Sequence, residues 1–234
     1  MGSGILGKKI GMTQIFDEEG NRVGVTVLEA GPCTVQCVKT LDRDGYNAVQ
    51  LGFGDTKESR INKPQRVYLK KNKLKPKRFV REFRLEEVTD VKVGDEVTNS
   101  IFQKGDFLDV EGRSKGKGFQ GGMKRCGWKG GQGTHGSMSH RAPGSIGASS
   151  YPSRVMKGHG MPGHLGNTWT TVQNMKVVDV NTENNTIAVK GALPGANGTY
   201  LKIRYAKKRV LSPRIKASGD ERETETNEKN VKKN

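Results

Sequence analysis

Between Glu111 and Asp179 the 234-residue chain has neither aspartate nor glutamate, although it holds 24 acidic residues in all. A stretch without carboxylates cannot pair two acids for acid–base work, orient a histidine base or cage a hard cation. Long apolar runs are missing as well. No segment of about 18 apolar residues could cross a membrane, and no apolar region behind a basic start marks a secretory signal. No long amphipathic helix offers a basic face to a lipid surface. The three cysteines form no framework and fit a reducing compartment. Cys33 and Cys37 alternate with Val35 along Pro32 to Val38, which places them on one strand face as small core residues. Cys126 stands alone. At 32% hydrophobic, the chain forms a modest core and leaves a large part of itself outside it.

Positive charge is plentiful. Lys and Arg number 41, giving a formal net charge of +17. Such an excess calls for a polyanionic partner, and with a membrane disfavoured that partner is nucleic acid. The charge is segregated rather than scattered. Residues 112–167 hold sixteen of the 32 glycines, all four histidines and nine Lys or Arg. Few apolar residues there recur with a helical or strand period, and loops this long are functional or disordered. Yet Phe119, Met123, Trp128, Met138, Tyr151, Met156 and Met161 are more large apolar groups than a solvated linker needs. The segment therefore reads as an extension that is poorly ordered alone and ordered by RNA. In that role Arg113, Lys115, Lys117, Lys124, Arg125, Lys129, Arg141, Arg154 and Lys157 neutralise phosphates, while glycine lets the backbone approach them. His135, His140, His159, His164, Trp128 and Tyr151 can stack on unpaired bases. Lys8 and Lys9, with the run from Lys70 to Arg78, widen the footprint.

Around this segment the chain is β-rich. Residues 1–54 carry two strand pairs: Met12 to Phe16 with Val23 to Leu28 around Asp17–Asn21, and Cys33 to Leu41 with Tyr46 to Phe53 around Asp42–Gly45. An Asp-Gly step before an apolar strand is a hairpin signal, and spacing this short suits an antiparallel sheet or small barrel. Residues 55–95, basic and punctuated by Pro64 and Pro76, read as an insertion with short helices. Strands resume over 96–111, near Val97 and at Phe107 to Val110. Residues 168–210 form a closing meander of Thr171 to Val180, Thr186 to Lys190 and Tyr200 to Tyr205. Residues 211–234, charged and nearly free of apolar groups, read as a disordered tail.

Three catalytic or ligand readings compete with RNA binding. Gly116 to Gly121 matches G-x-G-x-x-G after the strand Phe107 to Val110, but a dinucleotide site needs an amphipathic helix next and an acid about 20 residues on. No such helix pattern follows and no acid comes before Asp179. His135 with His140, and His159 with His164, are spaced i, i+5. Zinc asks for four convergent ligands, and the region adds only Cys126, so no metal is expected. Ser137, Ser139 and Ser145 near these histidines have no acid to complete a triad and no G-x-S-x-G turn. No cofactor or small-molecule substrate is expected, and the chain is not read as an enzyme. A free-standing RNA chaperone and a phosphorylated-cofactor enzyme remain as alternatives.

Several segments together resemble one family. They are Gly4-Ile-Leu-Gly-Lys-Lys-Ile-Gly-Met-Thr-Gln-Ile-Phe16, the run from Phe107 to Arg125, Thr134-His-Gly-Ser, Ser139-His-Arg-Ala-Pro-Gly-Ser-Ile-Gly147, and Val189 to Gly198. They are similar to the third protein family of the large ribosomal subunit, bacterial or organellar in type, over about residues 4–205. The resemblance implies a mainly β fold, a six-stranded antiparallel β-barrel of the translation-protein type, with a small α-containing insertion and a long irregular extension. It implies direct binding of the large rRNA near its 3′ end, a role in nucleating subunit assembly and ribosomal-protein neighbours. It also implies an extension directed at the peptidyl transferase centre, and a place in the cytoplasmic or organellar ribosome. Carried over, Ser114 to Gly118, Lys124, Arg125, His135, His140, Arg141 and Gly144 line that extension, with Trp128 near its tip. Ser150 stands where some bacterial members have a methylated glutamine, so that modification is not expected here.

Overall fold

The computed structural model describes residues 4–86 and 91–208. The tail assigned to 211–234 lies outside the described residues. In chain order the strands are β1 (Gly4–Phe16), β2 (Arg22–Ala30), β3 (Cys33–Lys39), β4 (Ala48–Asp55), β5 (Lys77–Arg84) and β6 (Glu96–Val97). They continue with β7 (Phe107–Arg113), β8 (Phe119–Gln120), β9 (Gly163–His164), β10 (Trp169–Asn181), β11 (Thr186–Lys190) and β12 (Tyr200–Tyr205). The α-helices are α1 (Leu41–Asp44), α2 (Lys63–Lys71) and α3 (Gly122–Cys126).

Six strands close into an antiparallel barrel in the order β1-β12-β7-β10-β11-β2, the six-stranded barrel that the resemblance implies. Alternation drives it. Leu28, Leu108, Val110, Val177, Ile187, Val189, Leu201 and Ile203 are fully buried, while intervening residues such as Arg204 and Lys190 stay nearer solvent. Each such side chain contributes about 1.5–3 kcal/mol by leaving water. β1 departs from alternation at its start, where Gly4 to Gly7 are all buried. One face of that stretch looks into the barrel and the other meets a second sheet. Buried Asp109 fastens β7 to its neighbours, because its carboxylate accepts the Asn174 amide of β10 (3.0 Å) and the Lys207 amide beyond β12 (3.3 Å). Asn174 sits where the β10 register shifts against β7, so this bond stabilises the bulge.

The second sheet, in the order β5-β4-β3-β6, corrects several expectations. β3 and β4 do not continue the barrel within 1–54. A closed barrel has no free edge, so the chain turns away at Gly31–Pro32 and starts a new sheet on the barrel's flank. β6 likewise joins β3 rather than the barrel. Residues 55–95 supply the helix α2, but they also supply β5, which pairs with β4 from Ala48↔Arg84 to Asp55↔Lys77. The β3–β4 connection at Asp42–Gly45 is not a tight hairpin turn. It is the helical turn α1, closed by Gly45, whose amide donates to the Leu41 carbonyl. A register shift between Val35 and Cys37 also breaks the alternation of β3. Cys33 and Val35 are therefore buried, but Cys37 is only half-buried and Gln36 takes the interior place. Phe53, Phe79 and Phe83 join the barrel residues in one core.

Candidate nucleic-acid interface

The extension leaves the barrel between β7 and β10, whose outermost rung is Arg113↔Trp169. The ladder then continues irregularly past the barrel. The Ser114 amide donates to the Thr168 carbonyl (2.9 Å), the Lys117 amide to the Leu165 carbonyl (2.9 Å) and the Leu165 amide to the Gly118 carbonyl (2.9 Å). β8 and β9 add the rungs Phe119↔His164 and Gln120↔Gly163. The root is thus a two-stranded ribbon set on two barrel strands, which gives a loop of this length a fixed departure point. Gly166 makes the close approach possible. Its φ is +77°, and a Cβ there would lie 2.1 Å from the Lys115 carbonyl oxygen.

Beyond the root the extension is nearly all surface. From Arg113 to Thr168 the one buried residue is Gly122. A Cβ on Gly122 would lie 2.2 Å from the Trp128 ring, so the indole lies flat on the backbone of α3. Sequence reasoning gave these glycines to phosphate approach, whereas Gly122 and Gly166 are demanded by contacts within the chain. The Arg125 guanidinium reaches back to the Met161 and His164 carbonyls (Nε–O 3.3 Å to His164), and the Cys126 thiol to the Met161 carbonyl (3.4 Å). His140 Nδ1 lies 2.8 Å from the Gln132 carbonyl. Arg113 Nε donates to the Asn167 carbonyl (3.1 Å) and the Ser114 hydroxyl lies 3.4 Å from that of Thr168.

Lys115, Gly116, Lys117, Gly118, Lys124, Lys129, His135, Arg141, Gly144, Arg154, Lys157, His159 and His164 are exposed, and Trp128 and Ser114 are half-buried. Tyr151 is 88% exposed. A shallow groove of about 320 Å³, lined by Ile146 to Ser149 and Ser153 to Val155, opens beside Arg154. The nine Lys and Arg of 112–167 meet no acid within the segment, so it carries +9 of the chain's +17. Among the described residues no three His, Cys, Asp or Glu side chains converge. The G-x-G-x-x-G run leads into α3, five residues long, rather than into a full helix.

Lys8 stays near solvent, but Lys9 is a correction. It is 6% exposed, and its ammonium donates to the Leu193 carbonyl (2.9 Å) and, at 3.4 Å, to that of Gly195. Burial, then the charge of Lys115, pull its pKa below the ordinary lysine value. Lys9 pins the Leu193–Gly195 loop from a buried position, where the sequence reading had it as an exposed cation. The run from Lys70 to Arg78 is partly neutralised within the fold, with Lys70 3.5 Å from Glu58 and Lys77 2.8 Å from Asp55.

Sequence reasoning missed one group at the root. The Arg81 guanidinium of β5 lies 4.7 Å from the Phe79 ring centroid and 5.0 Å from that of Trp169. Phe79 stacks on Tyr200 (5.1 Å, 16°), and Arg78 lies over Tyr200 at 5.8 Å. The contacts run from Arg78 through the stacked Tyr200 and Phe79 to Arg81 and Trp169, the first residue of β10, each cation–ring pairing contributing about 0.5–1 kcal/mol. The local cue was an arginine between Phe79 and Phe83, where the alternation expects an apolar residue. Its partner Trp169 lies too far along the chain for local patterning to find.

The family model described as Ribosomal protein L3 matches residues 82–190. The chain is 53% identical over 206 residues to the large ribosomal subunit protein uL3 of Brachyspira pilosicoli, covering 88% of this chain and 94% of that protein. To the uL3 of Solibacter usitatus it is 55% identical over 210 residues, 89% and 100% of the two chains. To that of Carboxydothermus hydrogenoformans it is 50% identical over 208 residues, 89% and 99%.

Proposed function

The chain belongs to the ribosomal protein L3 (uL3) family of the large ribosomal subunit, and from that premise we propose that it binds the large rRNA directly, with residues 112–167 as its RNA-penetrating element. The observation that carries this reading is a +9, acid-free extension, almost wholly exposed, rooted by a hydrogen-bonded ribbon on two barrel strands. A surface of this kind repels itself and gains most when phosphates surround it.

The roles follow from the chemistry. Lys115, Lys117, Lys124, Lys129, Arg141, Arg154 and Lys157 neutralise phosphates, with Arg113 and Arg125 adding charge while they brace the root. Tyr151, His135, His159 and His164 offer flat faces to unpaired bases, and the groove beside Arg154 is of a size to take one. Arg81 and Trp169 hold the root against the second sheet and so aim the extension. The barrel anchors at the subunit surface, near the 3′ end of the large rRNA and beside other ribosomal proteins, in the cytoplasmic ribosome. The extension runs inward toward the peptidyl transferase centre. Ordering so long a basic segment between RNA helices holds them together, which is how the chain helps nucleate assembly. No step requires a catalytic residue, a metal or a cofactor: this is a structural ribosomal protein.

Cys126 provides the test, since it is exposed on the extension while Cys33 is buried. A hydroxyl-radical-generating iron chelate on Cys126, in assembled subunits carrying Cys37→Ser, cuts the large rRNA around the peptidyl transferase centre. Absence of rRNA cuts in particles that contain the labelled protein would overturn the reading.

A further inference from the structure

At the end of the β1–β2 hairpin an open sheet edge, large apolar side chains and acidic charge coincide. β12 covers β1 only from Gly4 to Lys8, and β11 covers β2 only from Val25 to Glu29. Beyond those rungs, Gly11 to Phe16 and Arg22 to Gly24 form a two-stranded ribbon with no third strand among the described residues. Met12 and Phe16 lie on one face of it, four residues apart, and are 56% and 67% exposed. An apolar, unpaired edge of this kind is a template for another strand.

The charge at this edge is opposite to that of the chain as a whole. Asp17, Glu18 and Glu19 are all exposed in the turn. Glu18 holds Lys104 at 3.0 Å, and Asp17 and Asp179 also act on that ammonium. Lys104 lies just before β7, whereas the basic extension departs from the far end of β7 at Arg113. Seven residues of strand separate the two by roughly 20 Å. RNA is therefore a poor occupant, because its phosphates would face carboxylates. A second copy pairing through the same edge would bring Gly11 to Phe16, which hold no Lys or Arg to meet the acidic turn. A basic polypeptide fits both features, with its backbone completing the sheet and its Lys and Arg meeting the turn.

We propose that the free edge of β1 from Gly11 to Phe16, with the Asp17–Glu19 turn, docks an extended, Lys- and Arg-rich strand of another protein of the large subunit. The proposal needs only the chain's place in that subunit and not the course of the extension through RNA.

Two measurements on assembled large subunits test it. A photoreactive benzoyl-phenylalanine at Phe16 cross-links to a protein, and mass spectrometry finds the attachment within a Lys- and Arg-rich segment. Zero-length carbodiimide coupling of the unsubstituted chain joins Asp17, Glu18 or Glu19 to a lysine of that same segment. The triple variant Asp17→Lys, Glu18→Lys, Glu19→Lys lowers the Phe16 cross-link at least tenfold and leaves rRNA affinity of the free chain undiminished. Cross-linking to rRNA or to a second copy overturns the proposal. So does the absence of either cross-link in particles holding normal amounts of the protein, or a fall in rRNA affinity of the triple variant.

Discussion

Excising the extension at its root separates its charge from that of the barrel. Gln120 and Gly163 form the last rung of the ribbon, so residues 121–162 can be replaced by an Asn-Gly turn without disturbing the register. The excision removes Lys124, Arg125, Lys129, Arg141, Arg154 and Lys157, and leaves Arg113, Lys115 and Lys117 on the root. Each phosphate that is no longer neutralised lowers the log–log salt slope of RNA binding by about 0.7–0.9, so six cations amount to about 4–5 units. Between about 50 and 200 mM salt, that is roughly 2.5–3 decades of affinity that the intact chain loses and the excised chain does not. No fully buried large side chain lies in 121–162, so the melting temperature of the barrel should hold within a few degrees. The assay is filter or fluorescence binding to large-subunit rRNA fragments across salt, paired with thermal melting. A slope change below about one unit in a folded protein would refute the argument that the extension carries the electrostatic part of binding.

Three further outcomes follow from the packing. Ile203→Ala should cost about 2–5 kcal/mol in urea unfolding, because Ile203 is fully buried in the closed barrel. Gly166→Ala places a Cβ against the Lys115 carbonyl at a left-handed φ, so it should cost about 1–3 kcal/mol. Hydrogen exchange should then accelerate at the Lys117 and Leu165 amides and not in the barrel. Burial pushes the Cys33 thiol up to about 12, so at pH 8 alkylation should reach Cys126 and spare Cys33. Between the ordinary thiol value and about 12 the folded chain keeps a proton that the unfolded chain releases. The Cys33 contribution to stability is therefore lost as pH rises through that window, by roughly 1.4 kcal/mol per unit. Comparing Cys33→Ala with the unsubstituted chain across pH isolates that slope.

Much of the protein was legible in its sequence because the governing physics is local or compositional. The strand-like runs Thr171 to Val180, Thr186 to Lys190 and Tyr200 to Tyr205 read as the closing strands of the barrel. The acid-free run after Glu111 marked the extension, since charge segregation needs no three-dimensional information. The motifs from Phe107 to Arg125 and from Ser139 to Gly147 pointed to the family. What the sequence could not decide depends on which distant residues meet. Lys8 and Lys9 are neighbours of the same type, yet closure of the barrel brings Leu193 and Gly195 over Lys9 and buries its ammonium. β3 and β4 read in sequence like a further barrel hairpin, but a barrel closed by β1, β12, β7, β10, β11 and β2 has no edge left for them. Arg81 is one more basic residue until the second sheet sets it against Trp169. Gly122 and Gly166 could serve RNA or the chain itself, and only the positions of Trp128 and the Lys115 carbonyl show that they serve the chain. Charge and periodicity are properties of residues in order, whereas burial and partnership are properties of the closed barrel.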